Sequence, residues 1–146
     1  MHWKVWFAVL MIVGGVGLAA SAASAETREF LIVTNEIKWE AEGGEAPVAD
    51  RNRGRVKEIE RYTFAPGFLV VNQGDKVVLR IHAIKGSKHI IEVPAFHTGE
   101  TLIRRGQEKA VTFVADKAGV FEFRCNNHKN ANKEGPMVGY LYVRGK

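Results

Sequence analysis

The strongest constraint on the fold of this chain is a series of short apolar runs from Ala65 onward, each closed by Gly, Pro, Asn or Asp and none with a helical period. The runs are FLVV, KVVLRI, KHIIEVP, KAVTFVA, GVFEFRC and VGYLYVR. They are four to eight residues long, are rich in Val, Ile and Phe, and alternate apolar with polar side chains where they are not wholly apolar. Repeated short strands without intervening helices predict an all-β sandwich or barrel with antiparallel pairing. The earlier run REFLIVTNEIKW adds a first strand, and NQGD between two runs marks a turn. The segment at about 40–60 is rich in charge and Gly with no sustained apolar period, so it is expected to be a long exposed excursion, with a short helix or strand around Val56 to Tyr62.

The first 25 residues have a different character. Lys4 is followed by an apolar run to about Ala20 and then by small residues, with Ala23 and Ala25 in an A-x-A pattern. This is the layout of a secretory signal peptide, with cleavage expected after Ala25. A retained membrane anchor is the competing reading, but the apolar run is short for a bilayer span and lacks a basic flank after it. Residues 26–146 are then expected to form one domain, periplasmic or secreted, with no membrane span after cleavage. Loss of Lys4 takes the formal net charge from +5 to +4. Charges of both signs are interleaved along the chain, so no nucleic-acid stripe is indicated.

An exported protein usually pairs its structural cysteines, and this chain has only Cys125, which excludes an intrachain disulfide. A buried inert thiol is the plain alternative. Strand alternation puts Phe121, Phe123 and Cys125 on one face and Glu122 and Arg124 on the other, so Cys125 ends its strand facing the core. The same count places His89, Ile91 and Val93 together at the start of another strand, with Glu92 opposite. His128 lies three residues beyond Cys125, and Met137 precedes the last strand. A thiolate, two imidazoles and a thioether are the donor set of a mononuclear copper site, with three strong ligands and one weak axial sulfur. Zinc could use Cys and two His, but no C-x-x-C knuckle is present.

At these residues the sequence resembles the cupredoxins, the blue copper proteins. FLVVNQGDKVVLRI is similar to their strand pair with its Gly-Asp turn, KHIIEVP to the strand bearing the first histidine ligand, ADKAGVFEFRCNNH to their cysteine-to-histidine ending, and PMVGYLYV to the closing strand. The resemblance implies a Greek-key β-sandwich holding one copper ion, type 1 or similar. It makes His89, Cys125 and His128 the strong ligands and Met137 the candidate axial one. Two departures stand out. KNANKEGP inserts eight residues between His128 and Met137. Either the insertion bulges outward while Pro136 and Gly139 keep Met137 in place, or the axial position is empty or held by an oxygen. Ile90 stands where many members carry a polar residue that ties the ligand loops, so the surroundings of the ligands must differ. The long N-terminal excursion is also similar to that of the nitrosocyanin-like red copper subset, for which Glu92 and Glu100 are possible oxygen donors, though alternation puts Glu92 on the wrong face. A binuclear copper site would need a second cysteine.

His97 is expected in a surface loop and His82 as a packed or edge histidine. No Ser-His-Asp order, phosphate-binding loop or distinctive carboxylate pair singles out an enzyme of another class. The expected function is one-electron transfer between redox protein partners through Cu(I)/Cu(II) cycling. Copper buffering or delivery, and a redox enzyme with an open copper position, are the alternatives.

Overall fold

The computed structural model describes residues 25–40, 49–50, 54–55, 58–130 and 134–145. The expected signal peptide falls outside these residues except for Ala25, as does much of the excursion. No helix among the described residues is long and apolar enough to cross a membrane.

Eleven strands are formed among the described residues: β1 (Thr27–Glu40), β2 (Ala49–Asp50), β3 (Gly54–Arg55), β4 (Glu58–Ala65), β5 (Phe68–Asn72), β6 (Lys76–His82), β7 (Lys88–Glu92), β8 (Thr101–Arg104), β9 (Glu108–Val114), β10 (Gly119–Cys125) and β11 (Val138–Arg144). One sheet runs β4-β1-β6-β9 and the other β5-β11-β10-β7-β8, while β2 and β3 pair with each other. The molecule is thus a β-sandwich, as the strand spacing predicts. Glu58–Ala65, the end of the expected excursion and beyond, is a strand laid antiparallel along β1.

Alternation decides which side chains fill the space between the sheets. In β6 the residues Val77, Leu79 and Ile81 are buried and face Leu69, Val71, Ile91, Ile103, Phe123, Leu141 and Val143 of the other sheet. Phe64 of β4 meets Phe123 of β10 with ring centroids 5.0 Å apart. Burying such side chains supplies about 1.5–3 kcal/mol each relative to leaving them exposed, which is the main favourable term for the fold.

The pairing is mixed rather than antiparallel throughout. β1 runs parallel to β6, and β5 runs parallel to β11. The two runs flanking NQGD are not hydrogen-bonded partners, because β5 belongs to one sheet and β6 to the other. The turn is a corner between sheets, and Asp75 fastens it: its wholly buried carboxylate accepts the Asn72 N–H at 2.9 Å and the Glu26 N–H at 3.0 Å. Apolar alternation fixes which face of a strand is buried but does not distinguish a hairpin partner from a strand across the sandwich.

Candidate metal centre

The site lies at one end of the sandwich, where β7 begins and β10 ends. These strands are antiparallel neighbours, with Cys125 opposite Ile91 and Arg124 opposite Glu92. Phe123 and Cys125 are buried and Phe121 half-buried, whereas Glu122 and Arg124 face outward. His89, Ile91 and Val93 are fully buried on the same side. The two alternating strands therefore deliver His89 and Cys125 to one point, and the turn after Cys125 returns His128 to it, with the His128 N–H donating to the Cys125 carbonyl at 3.2 Å.

His89, Cys125 and His128 form a cluster whose candidate ligand atoms all lie within 4.8 Å of one another. The Cys125 Sγ is 3.7 Å from His89 Nδ1 and 3.5 Å from His128 Nδ1. Both imidazoles thus turn the same ring nitrogen toward the sulfur. For His89 the reason is visible: its Nε2 is 2.6 Å from the Lys85 carbonyl oxygen, so Nε2–H donates there and the Nδ1 lone pair faces the thiol. The Lys85 carbonyl is itself fixed by the buried Thr34 of β1, whose hydroxyl donates to it at 2.8 Å and accepts the Ile84 N–H at 3.0 Å. His128 Nε2 lies 3.3 Å from the side-chain amide of Asn127.

Where the resemblance anticipates a polar residue, Ile90 substitutes its backbone. The Ile90 N–H donates to Cys125 Sγ at 3.4 Å, and the Ile90 carbonyl accepts the Asn126 N–H at 2.7 Å. The two ligand-bearing segments are tied together without a side chain, so an apolar residue serves at position 90.

Met137 is fully buried beside the cluster, and its backbone is bonded to both neighbours in the set. The Cys125 N–H donates to the Met137 carbonyl at 3.0 Å, and the Met137 N–H donates to the His128 carbonyl at 2.9 Å. The Gly135 N–H donates to the Asn130 carbonyl at 2.9 Å, and any side chain at Gly135 would collide with the His128 carbonyl. Residues 131–133 lie outside the described part.

Tyr62 of β4 covers the histidines. Its ring centroid is 4.5 Å from that of His128 and 5.8 Å from that of His89, and its N–H donates to the Glu134 carbonyl at 2.9 Å. The strand thus clamps the long loop with its backbone and shields the site with its side chain. Burial, aided by a hydrogen bond to the Glu60 carboxylate, pushes the Tyr62 phenol up to about 12. Sequence reading left Tyr62 and Thr34 out of the site. Tyr62 and Phe64, alternating with Arg61 and Thr63, were a short signal for a strand face, but its destination depends on how β4 lies along β1.

The electrostatics favour an uncharged donor set when no cation is present. Burial lowers the pKa of both histidines; His128 falls to about 4, with His89 beside it a further cause and Glu60 opposing. Burial likewise raises the Cys125 thiol, against the N–H groups of Ile90, Asn127 and His128. Neutral imidazoles offer lone pairs, and a cation placed among them would displace the thiol proton and be compensated by the thiolate. Two borderline nitrogens and one soft sulfur, with a buried thioether adjacent, fit copper by donor type.

The remaining candidates are elsewhere. Glu92 is paired with Arg124 on the outer face at 2.6 Å, and Glu100 accepts from Asn126 Nδ2 at 2.8 Å. His97 is exposed in the loop after the short turn at Pro94–Phe96, and His82 is half-buried at the end of β6, an inner strand, with its ring 3.9 Å from the Glu108 carboxylate.

No family model and no curated protein sequence matches the chain. Solved structures do. A multicopper oxidase, mgLAC, is 21% identical with a TM-score of 0.61, covering 84% of this chain and 40% of its own. A copper nitrite reductase from Thermus scotoductus SA-01 is 22% identical with a TM-score of 0.58, covering 84% and 28%, and one from Nitrosomonas europaea is 22% identical at 0.59, covering 82% and 42%. At this identity the likeness establishes the fold, a cupredoxin-like β-sandwich. The chain spans less than half the length of each of these neighbours.

Proposed function

We propose that this chain is an exported mononuclear copper protein that carries one electron at a time between redox protein partners in the periplasm or outside the cell. The observation that carries this reading is the buried His89–Cys125–His128 cluster, with both Nδ1 atoms turned to a single sulfur. The donor chemistry and the copper-containing proteins among the structural neighbours support it. His89, Cys125 and His128 would hold the ion, with Met137 as a candidate fourth ligand. Copper, when bound, supplies one-electron cycling between Cu(I) and Cu(II).

The chain's own contribution is to keep those side chains still. Lys85, held by Thr34, fixes the His89 ring, and Ile90 donates to the sulfur. Met137 is anchored through its backbone on both sides, and Tyr62 covers the rings. A donor set held by packing and backbone hydrogen bonds reorganises little when the charge at its centre changes, which is what an electron carrier requires. Its surface patch for partners differs from an apolar one, since NNHKNANKEG is polar and favours electrostatic docking.

One observation favours a second reading, a redox enzyme with an open, red-type copper position. A half-open pocket of about 370 Å³ borders the site and includes Cys125, Asn126, His128 and Met137 in its lining.

The test is to load the protein with copper and record visible and EPR spectra, redox cycling and the response to azide, then repeat with Cys125→Ser and Met137→Ala. The proposal expects an intense thiolate-to-copper band, reversible cycling and indifference to azide, with the band lost in Cys125→Ser. An azide-dependent spectrum selects the open site, and readily exchanged Cu(I) without reversible cycling selects a buffering role. A colourless loaded protein refutes the copper reading, and an unchanged spectrum in Met137→Ala removes Met137 from the ligand set.

A further inference from the structure

Far from the metal cluster, a second buried group has unusual surroundings. The Asp75 carboxylate at the corner between the sheets is completely buried. Its Oδ1 accepts the Glu26 N–H at 3.0 Å, and its Oδ2 accepts the Asn72 N–H at 2.9 Å and lies 3.4 Å from Arg28 Nε. The same guanidinium also pairs with the Glu26 carboxylate at 2.9 Å. Two carboxylates therefore share one cation, and the buried one receives the more distant half of it. A buried carboxylate is costly unless it is fully compensated.

The missing positive charge can come from the backbone. Glu26 directly follows the A-x-A pattern of Ala23 and Ala25, and β1 begins at Thr27, so among the described residues a cut at this bond removes no strand pairing. Residue 26 is already fixed in place by its carbonyl, which accepts the Lys76 N–H at 2.9 Å. We infer that the chain is cut between Ala25 and Glu26 and that the α-ammonium so created binds the buried Asp75 carboxylate, locking the mature N-terminus to the corner between the sheets. Chemically, a leader peptidase adds water across the peptide bond. Ala25 departs as a carboxylate, and the Glu26 nitrogen takes up protons to become an ammonium 3.0 Å from Asp75 Oδ1. The cluster of Glu26, Asp75 and Arg28 then has two negative and two positive charges. A neutral N–H donor is replaced by a charged one, and hydrogen bonds of that kind are about twice as strong.

The inference does not depend on what binds at Cys125, and its test uses different readouts. The full chain is exported from a bacterial host and its intact mass taken; the expected product is Glu26–Lys146. Chains beginning at Glu26 and at Ser24 are then compared by urea unfolding at pH 7, each with Asp75 and with Asp75→Asn. The two-residue extension is expected to lower the folding equilibrium about fivefold with Asp75 present and to have little effect in Asp75→Asn. Acylation of the α-amine gives a measurement that needs no variant. A paired ammonium should react about tenfold more slowly than the amine of a peptide beginning at Glu26, corresponding to one unit of added proton affinity. A mature chain starting at another residue overturns the cleavage. An extension effect equal in both backgrounds, or an α-amine as reactive as the peptide's, overturns the pairing.

Discussion

Gly86 and Gly106 offer a controlled measurement of how tightly the first histidine is held. Both have positive φ, +81° and +80°. Placing an alanine in that left-handed region costs about 1–2 kcal/mol wherever it occurs. The two positions differ in their surroundings. A methyl group at Gly106 meets nothing within 4 Å, while one at Gly86 lands 2.7 Å from His89 Nε2, 2.8 Å from His89 Cε1 and 3.3 Å from Tyr62 Cε1. The imidazole has no free direction of escape, since it is fully buried and its Nε2 is bonded to the Lys85 carbonyl at 2.6 Å. Overpacking of this kind costs about 1–3 kcal/mol. If the ring yields instead, a hydrogen bond worth about 0.5–1.5 kcal/mol is lost. Gly106→Ala should therefore lose about 1–2 kcal/mol, and Gly86→Ala about 2–5 kcal/mol, read as midpoint shifts in urea unfolding of the metal-free protein. Copper affinity should fall only in Gly86→Ala, because only there does His89 move. Equal losses in the two variants, or unchanged copper affinity in Gly86→Ala, would refute the claim that Gly86 is required by its approach to the ring.

The metal-free protein should lose stability as pH falls from about 6.5 toward 4. His128 binds its proton less readily in the fold, at about 4, than in the unfolded chain, so in that window the unfolded state takes up the proton first. The loss from this group is at most tenfold in the folding equilibrium per pH unit, and His128→Gln should flatten that part of a pH series of urea midpoints. Glu92→Gln should leave the copper spectrum unchanged and reduce stability by no more than about 1 kcal/mol, because Glu92 is paired with the partly exposed Arg124 on the outer face; a shifted absorption band would show that it reaches the metal.

Local pattern made much of the site legible. Two-residue alternation correctly turned Phe123 and Cys125, and separately His89 and Ile91, toward the interior, because the pleat of a strand imposes that period whatever the rest of the chain does. Spacing alone kept His128 within one turn of Cys125. Pairing was less legible. The runs beside NQGD are adjacent in sequence yet lie in different sheets, and an alternating pattern carries no label for its partner strand.

The sequence by itself determined the class of fold, the buried faces of β7 and β10 and the residue types that meet in the His89–Cys125–His128 cluster, since each follows from side-chain type and strand periodicity. Only the tertiary structure decided what surrounds those donors. Thr34, Tyr62 and Lys85 are remote from Cys125 along the chain and reach the site because β1 lies between β4 and β6. Ile90 ties the ligand segments through its backbone, where the resemblance left open what would replace a polar side chain, and main-chain groups leave no trace in residue identity. The same holds for Glu26 and Asp75, which the parallel pairing of β1 with β6 places in contact across 49 residues.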